Sequence, residues 1–267
     1  MRPSHTSSYI LDNAATQAAQ RFAGLEASYD PVTIRQLADI AVTAGWSCLE
    51  VGGGGGSIAR FLAGQVSPDG HVVATDIDPR WLRTGHPAIE LRRHDITADE
   101  LEPAAFDLVH ERLVLIHLPE RDQALSRMIE AVKPGGWLLI EDFDCSWLPL
   151  GPYGEPAQAA LFAKVVGALH LVLEQAGLDM AYGRRFPSLL RAQGLVDVHV
   201  EGHIAVMAGG SPESGVMRAN VEQLRDRMTD LAPVSNEEIG RFCRLLEDPG
   251  FTFSYQPMVS ARGRRPA

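Results

Sequence analysis

From Trp46 onward, short apolar runs alternate with longer segments in which apolar residues recur at helical spacing. The apolar runs, predicted as strands, cover residues 48–51, 71–75, 89–92, 106–109 and 137–140. The segments between them that are predicted as helices cover residues 57–65, 79–84 and 119–132. Strands that alternate with crossover helices form a parallel sheet covered on both faces. The pattern therefore predicts an α/β domain in the middle of the chain.

The flanking segments have a different pattern. Residues 10–44 read as helices with a break at Asp30-Pro31, where Asp30 is a good N-cap and Pro31 a good first helical residue. Toward the C-terminus we predict helices at 157–176, 186–193, 217–231 and 237–246, the last with the capping box Ser235…Glu238, and strands at 196–206 and 251–260. The predicted organisation is one structural domain in four parts: an N-terminal helical cap (1–45), a core (46–145), an inserted helical lid (146–185) and a C-terminal completion of the sheet (186–267).

Composition and charge narrow the function classes. The chain has 267 residues, of which 45% are hydrophobic, and its 34 acidic and 24 basic residues give a formal net charge of -10. A protein that grips phosphate backbones normally carries a basic stripe, so nucleic acid is not expected as a partner. No uncharged apolar run reaches about 18 residues, so we expect no membrane partner. The first thirty residues lack an apolar signal region, and three cysteines cannot make a disulfide framework, so we expect a reducing cytoplasm as the compartment. No CxxC pair suggests a zinc site.

The most informative segment is the glycine run at 52–56, placed between a predicted strand and a predicted helix. Glycines at such a turn permit positive φ and let a ligand approach the backbone, and the helix N–H groups favour an anionic group. The run does not fit G-x-G-x-x-G, because Ser57 or Ile58 occupies the third position. It fits E-x-G-x-G-x-G, beginning at Glu50. About twenty residues on, Asp76 ends the second strand and is placed to accept hydrogen bonds from ribose hydroxyls.

Five segments in this order resemble the class I S-adenosylmethionine (SAM)-dependent methyltransferases, and are most similar to the actinobacterial small-molecule, natural-product type. They are residues 50–56, 73–78, 94–96, 106–109 and 133–140. The resemblance covers residues 45–145 well and the remainder loosely. It implies a Rossmann-like fold with a seven-stranded, mostly parallel sheet and with N-terminal and inserted cap helices. It also implies SAM as cofactor, bound by the core at 46–145, and S-adenosylhomocysteine as its product.

The resemblance further implies a role for individual residues at the cofactor. The methionine and ribose part would lie along Glu50, Gly52, Gly54 and Gly56. Asp76 would hold the ribose hydroxyls and Ile77 would pack on the adenine. Asp95 would receive the adenine amino group, Ile96 would supply a backbone contact, and His110 would approach the amino-acid end of the cofactor.

Candidate catalytic residues follow the fourth strand, because ligands of open α/β sheets gather at the carboxyl ends of strands. They are His110, Glu111, Arg112 and His117. His110 is the first choice for a general base, against the alternative of a histidine bonded to the backbone. Arg112 either clamps a substrate carboxylate or pairs with Glu111 or Asp142, and His117 is expected to cap the next helix.

Substrate contacts are expected from the segments after the fifth strand and from the inserted helix. The candidates are Phe143, Trp147, Tyr153 and His170. Glu141, Asp142 and Asp144 could bind a divalent cation, but the Asp-Asn pair that metal-dependent relatives need is missing, so we expect no metal.

The sequence thus predicts a methyltransferase acting on a small, partly apolar metabolite, with oxygen slightly favoured over nitrogen or carbon as acceptor. Three alternatives stay open: a SAM-binding cyclase or pericyclic catalyst on the same fold, a non-catalytic methyltransferase-like scaffold, and a nicotinamide oxidoreductase, which the glycine spacing disfavours. A homodimer also stays open.

Overall fold

The computed structural model describes residues 10–11, 18–147 and 154–267, and these form seven α-helices and nine strands. The helices are α1 (Ala18–Ile40), α2 (Ser57–Val66), α3 (Arg121–Ala131), α4 (Pro156–Gln175), α5 (Phe186–Ala192), α6 (Pro212–Leu231) and α7 (Asn236–Leu245). The strands are β1 (Ser47–Val51), β2 (His71–Asp76), β3 (Ile89–Arg93), β4 (Phe106–Arg112), β5 (Val132–Phe143), β6 (Val196–His203), β7 (Val206–Ala208), β8 (Thr252–Ser254) and β9 (Met258–Arg264).

Seven of the strands form one sheet in the order β3-β2-β1-β4-β5-β9-β6. The first five are parallel, and β9 runs antiparallel to both of its neighbours. The prediction of a seven-stranded, mostly parallel sheet is confirmed. Strands β7 and β8 form a separate two-stranded sheet. Because β1, β4 and β5 are adjacent, their carboxyl ends present side chains at one edge of the molecule.

Both faces of the central strands β1, β2 and β4 are buried, as their near-continuous apolar runs predict. On one face, Leu37 of α1 and Leu62 of α2 belong to the same buried cluster as Cys48, Leu108 and Leu139 of the central strands. The larger cluster on the other face gathers α3, α4, α6 and α7. Each fully buried leucine contributes roughly 1.5–3 kcal/mol of transfer free energy. This packing holds β1, β4 and β5 in place, and the candidate site lies at their carboxyl ends.

The predicted helix break at Asp30-Pro31 is wrong. Helix α1 continues through Pro31 for 23 residues. Proline inside a helix removes one backbone hydrogen bond, here to the carbonyl of Ala27, and burial of the helix compensates for that loss. The Asp30 side chain does not cap a helix; it accepts hydrogen bonds from Ser57 and Arg112.

Three other segments differ from the prediction. The expected helix at 79–84 is only a 3₁₀ turn, Pro79–Trp81. Each of the two expected C-terminal strands, 196–206 and 251–260, is divided, one part joining the main sheet and the other the small sheet. The sequence pattern does not reveal such a change of sheet, because side chains alternate between the two faces of a strand in both sheets.

Helix α4 is the one described helix that is long and apolar enough to cross a membrane by composition alone. Its Phe162, Val165 and Leu169 are buried in the larger core cluster. Phe162 packs against Phe242 of α7, with ring centroids 5.7 Å apart. In this structure α4 is therefore a core helix.

Candidate active site

The glycine loop connects β1 to α2, and three of its residues have left-handed backbone conformations. The φ angles are 68° at Gly52, 53° at Gly54 and 85° at Gly56. These are the alternate positions of the E-x-G-x-G-x-G pattern. A Cβ atom at Gly52 would lie 2.2 Å from Cγ2 of Val114, so this position needs glycine for space as well as for conformation.

Asp76 lies beside this loop at the end of β2. Its Oδ2 accepts a hydrogen bond from the Gly54 N–H at 3.1 Å, and its Oδ1 accepts one from the Asp78 N–H at 2.9 Å. Burial raises the pKa of Asp76, and these two backbone donors oppose the shift. The next side chain, Ile77, is 40% exposed although apolar.

The segment of Asp95 and Ile96 runs along the same edge, since His94 donates its N–H to the Asp76 carbonyl at 3.0 Å. The Asp95 carboxylate accepts from the Thr97 N–H at 2.9 Å and from its hydroxyl at 2.6 Å. The Ile96 side chain is buried in the core. The structure therefore places Asp76 beside the glycine loop and the segment of Asp95 and Ile96 next to the end of β2.

Helix α1 covers the loop through two residues that sequence reasoning did not select. A Cβ atom at Gly54 would lie 3.2 Å from the Phe22 ring, and Oε1 of Glu26 accepts from the Ser57 N–H at 3.3 Å. The two residues are four apart and so share one helix face, which is the only signal that the sequence offers.

His110 lies between two buried carboxylates. Its Nδ1 is 2.6 Å from Oε2 of Glu50, and its Nε2 is 3.3 Å from Oε2 of Glu141. The exposed fractions of His110, Glu50 and Glu141 are 0%, 4% and 0%. Burial alone would lower the pKa of His110, but the charge of Glu50 and the hydrogen bonds to both carboxylates outweigh it and raise that pKa to about 10. A charged imidazole with both nitrogens engaged cannot accept a substrate proton, which argues against the predicted role of general base.

Glu111 and Arg112 also have structural partners. Glu111 points to the opposite face of β4, where its Oε2 accepts from the Val114 N–H at 3.0 Å; burial raises its pKa to about 7. Arg112 donates to Asp30 Oδ1 at 2.8 Å and to Thr33 Oγ1 at 2.9 Å. Its predicted pairing with Glu111 or Asp142 is wrong, because residues on a strand alternate between faces.

His117 does not cap α3, whose N-cap is Glu120. Burial, followed by the positive charges of Arg21 and Arg121, lowers the pKa of His117 to about 4. His117 is therefore neutral at physiological pH, and the structure gives it no cap function.

Phe143 lies at the end of β5 within an aromatic group that we call the aromatic cluster: Tyr29, Phe143 and Tyr255. The Phe143 ring centroid is 5.5 Å from that of Tyr29 and 5.4 Å from that of Tyr255, both in edge-on arrangements. Asn220 of α6 hydrogen bonds to the Tyr255 hydroxyl, and the Oδ1 of its buried amide has no partner among the described residues. No local sequence pattern predicts these partners of Phe143, because Tyr29, Tyr255 and Asn220 come from distant parts of the chain.

The other predicted substrate residues are separate from this cluster or outside the description. His170 of α4 contacts the Gln256 amide, with its Nε2 2.6 Å from Nε2 of Gln256, and burial lowers the pKa of His170 to about 4. Trp147 is 49% exposed. Tyr153 lies outside the described residues. His170 therefore contacts Gln256, the chain neighbour of Tyr255, but none of the cluster's rings among the contacts that the structure gives, and Trp147 faces solvent.

In comparison with known proteins, residues 49–138 match a family model described as "Methyltransferase domain". The methyltransferase str2 of Strobilurus tenacellus is 35% identical over 154 residues, which are 57% of this chain and 54% of that protein. The ubiquinone/menaquinone biosynthesis C-methyltransferase UbiE of Ralstonia pickettii is 32% identical over 127 residues, which are 43% of this chain and 50% of that protein. The chain thus spans about half the length of these curated relatives. They are fungal and proteobacterial, so the actinobacterial natural-product type stays a prediction.

Two solved structures share the fold. YcgJ of Bacillus subtilis superposes with a TM-score of 0.59 at 14% identity, covering 87% of this chain and 97% of YcgJ. Phosphoethanolamine N-methyltransferase 2 of Haemonchus contortus superposes with a TM-score of 0.59 at 17% identity, covering 97% of this chain and 59% of that one. The fold is that of the Rossmann-like class I methyltransferases, as predicted.

Proposed function

We propose that this chain, which carries a methyltransferase domain on the class I methyltransferase fold, transfers a methyl group from SAM to a small-molecule acceptor. The observation that carries the proposal is the loop from Glu50 to Ser57, with left-handed glycines at 52, 54 and 56 and the Asp76 carboxylate beside it. Backbone without side chains lets a ligand approach closely, and the adjoining carboxylate suits ribose hydroxyls.

The residues present fit SAM at four points. Asp76 can exchange its backbone donors for the ribose hydroxyls, and Asp95 is placed along the same edge for the adenine amino group. The exposed apolar Ile77 offers a surface for the adenine ring. Glu50 and the Gly52 and Gly54 backbone would lie along the methionine part. When bound, SAM supplies an electrophilic methyl group on a sulfonium.

The aromatic cluster supports an acceptor that is small and partly apolar. It lies two strands from the glycine loop, since β4 separates β1 from β5. The rings of Tyr29, Phe143 and Tyr255 can pack on an apolar body. The amide of Asn220, beside the Tyr255 hydroxyl, can accept a hydrogen bond from a hydroxyl or an amino group of that body. Of these two, we propose a hydroxyl oxygen as the methylated atom.

Transfer in this proposal depends on positioning rather than on His110 as base. A direct displacement gains most of its rate when nucleophile and methyl carbon are held in line in a dry site. His170, neutral because burial lowers its pKa to about 4, contacts Gln256, the chain neighbour of Tyr255, and would orient the acceptor through that amide.

The experiment is incubation of the protein with SAM and a panel of phenols, amines and activated-carbon acceptors, followed by mass spectrometry. We expect a product in which a methyl group replaces one hydrogen, together with an equal amount of S-adenosylhomocysteine and one proton released to solvent, with phenols converted best. Tyr255→Phe combined with Asn220→Leu should raise the acceptor KM, while Trp147→Phe, on an exposed side chain, serves as the matched control.

Two results would replace this function. A product of unchanged mass with SAM intact would favour the cyclase, and no conversion with no cofactor binding would favour the scaffold. We further propose that the protein works in the cytoplasm and has no membrane partner, and the net charge of -10 supports the proposal that it has no nucleic-acid partner. As part of the proposed function, we expect the methyl acceptor to be a natural product.

A further inference from the structure

The glycine loop has little intrinsic rigidity. Residues 52–56 are all glycine, and fixing the backbone of one residue costs about 1–2 kcal/mol, with glycine at the upper end. A loop that ordered only when the cofactor arrived would subtract that cost from the binding free energy. The structure instead holds both ends of the loop in place by contacts within the protein itself.

The start of the loop is tied to the centre of the sheet. Glu50, two residues before Gly52, is the register partner of His110 on β4. Its Oε2 lies 2.6 Å from Nδ1 of His110, whose Nε2 lies 3.3 Å from Oε2 of Glu141. Glu141 is held in turn by the hydroxyls of Ser260 and Thr33.

The end of the loop is tied to the same point by a second path. The Ser57 hydroxyl, at the first residue of α2, donates to Asp30 Oδ1 at 3.1 Å. Arg112 donates to Asp30 at 2.8 Å and to the Thr33 hydroxyl at 2.9 Å. Thr33 donates to Glu141, so the two paths meet at its carboxylate.

The protonation state of His110 follows from these contacts. An ionised carboxylate can only accept hydrogen bonds, so a carboxylate at each ring nitrogen requires a proton on both. Five charged groups then alternate in sign along the path: Glu50, His110, Glu141, Arg112 and Asp30. Alternating, hydrogen-bonded charges are the arrangement in which buried ions stabilise one another, whereas removal of one partner leaves an uncompensated charge.

We propose that this ring of contacts from Glu50 through His110, Glu141, Thr33, Arg112 and Asp30 to Ser57 is a clamp that preorganises the glycine loop, with His110 as its positioning residue. The clamp acts on the cofactor through the loop and through Glu50, so its link to catalysis rests on the proposed function. The effect of the clamp on the glycine loop does not depend on that function.

The experiment uses the full chain without ligand and has two readouts independent of activity. The first is hydrogen exchange of the amides of residues 52–57 in wild type, His110→Asn and the milder Thr33→Val, with His199→Asn, on an exposed side chain, as matched control. We expect exchange of the loop amides to rise about 10- to 100-fold in His110→Asn and less in Thr33→Val. The second is the ¹⁵N spectrum of labelled histidine, in which both ring nitrogens of His110 should be protonated at neutral pH and should lose that signature in Glu50→Gln.

Cofactor affinity separates the clamp from a general loss of structure. In S-adenosylhomocysteine titrations, His110→Asn should weaken binding about 10- to 100-fold, and Glu50→Gln/His110→Asn should be no weaker than Glu50→Gln alone, because His110 acts through Glu50. A neutral His110 ring, or unchanged loop exchange in a folded His110→Asn, overturns the proposal. If wild type binds no S-adenosylhomocysteine while loop exchange rises as expected, the clamp stands and the proposed function fails. If Thr33→Val leaves exchange unchanged, the path through Thr33 is refuted.

Discussion

The charged state of His110 makes a quantitative prediction about stability and pH. The pKa of His110 is raised from 6.5 to about 10 in the folded protein. A histidine with a raised pKa adds stability that is fully present below the unfolded value and is lost as pH rises through the folded value. At about 1.4 kcal/mol per pH unit, the change from about pH 7.5 to about pH 9.5 should cost wild type about 2–3 kcal/mol.

The assay is urea unfolding of wild type and His110→Asn at those two pH values. Buried groups that the two proteins share, such as Cys48 with its raised pKa, change both proteins alike. The difference between wild type and variant therefore isolates His110. It should shrink by about 2–3 kcal/mol across the interval. An equal pH dependence in both proteins would mean that the ring is neutral and would refute the reasoning.

The remaining predictions concern the loop and its neighbours. Gly52→Ala should destabilise the fold by at least about 2 kcal/mol, because the new side chain would stand at a positive φ and collide with Val114. The control Gly64→Ala, at an open position inside α2, should instead stabilise the fold by about 0.5–1 kcal/mol. Equal shifts of the two variants in thermal unfolding would contradict this explanation. Asp76→Ala should weaken SAM binding in calorimetry by about 1–3 kcal/mol, whereas Asp107→Ala, which removes a carboxylate at the opposite edge of the sheet, should not; equal losses would remove Asp76 from the cofactor site.

Periodicity predicted the parts of the fold that depend on burial. The strand and helix around the glycine loop are clear because each has a strong apolar pattern, and the ordered motifs predicted the sheet. The pattern failed at Asp30-Pro31, where a local break signal competes with the tertiary contacts of a long buried helix. Intrinsic preference is a weak prior, and packing overrides it.

The candidate site was predictable only where it is local in sequence. Gly52, Gly54 and Asp76 belong to motifs with fixed spacing, so their neighbourhood could be expected. The partners of His110 could not be expected from the sequence, because strand order and register bring Glu50 and Glu141 next to it. The sequence predicted His110 as a site residue, but only the fold shows that a carboxylate lies at each of its ring nitrogens.

The most direct test of the central claim is calorimetric titration of the protein with SAM, S-adenosylhomocysteine and NADH in parallel. We predict that SAM and S-adenosylhomocysteine bind with dissociation constants on the order of micromolar, and that NADH gives no heat of binding. Binding of NADH alone, or of none of the three, would contradict the account.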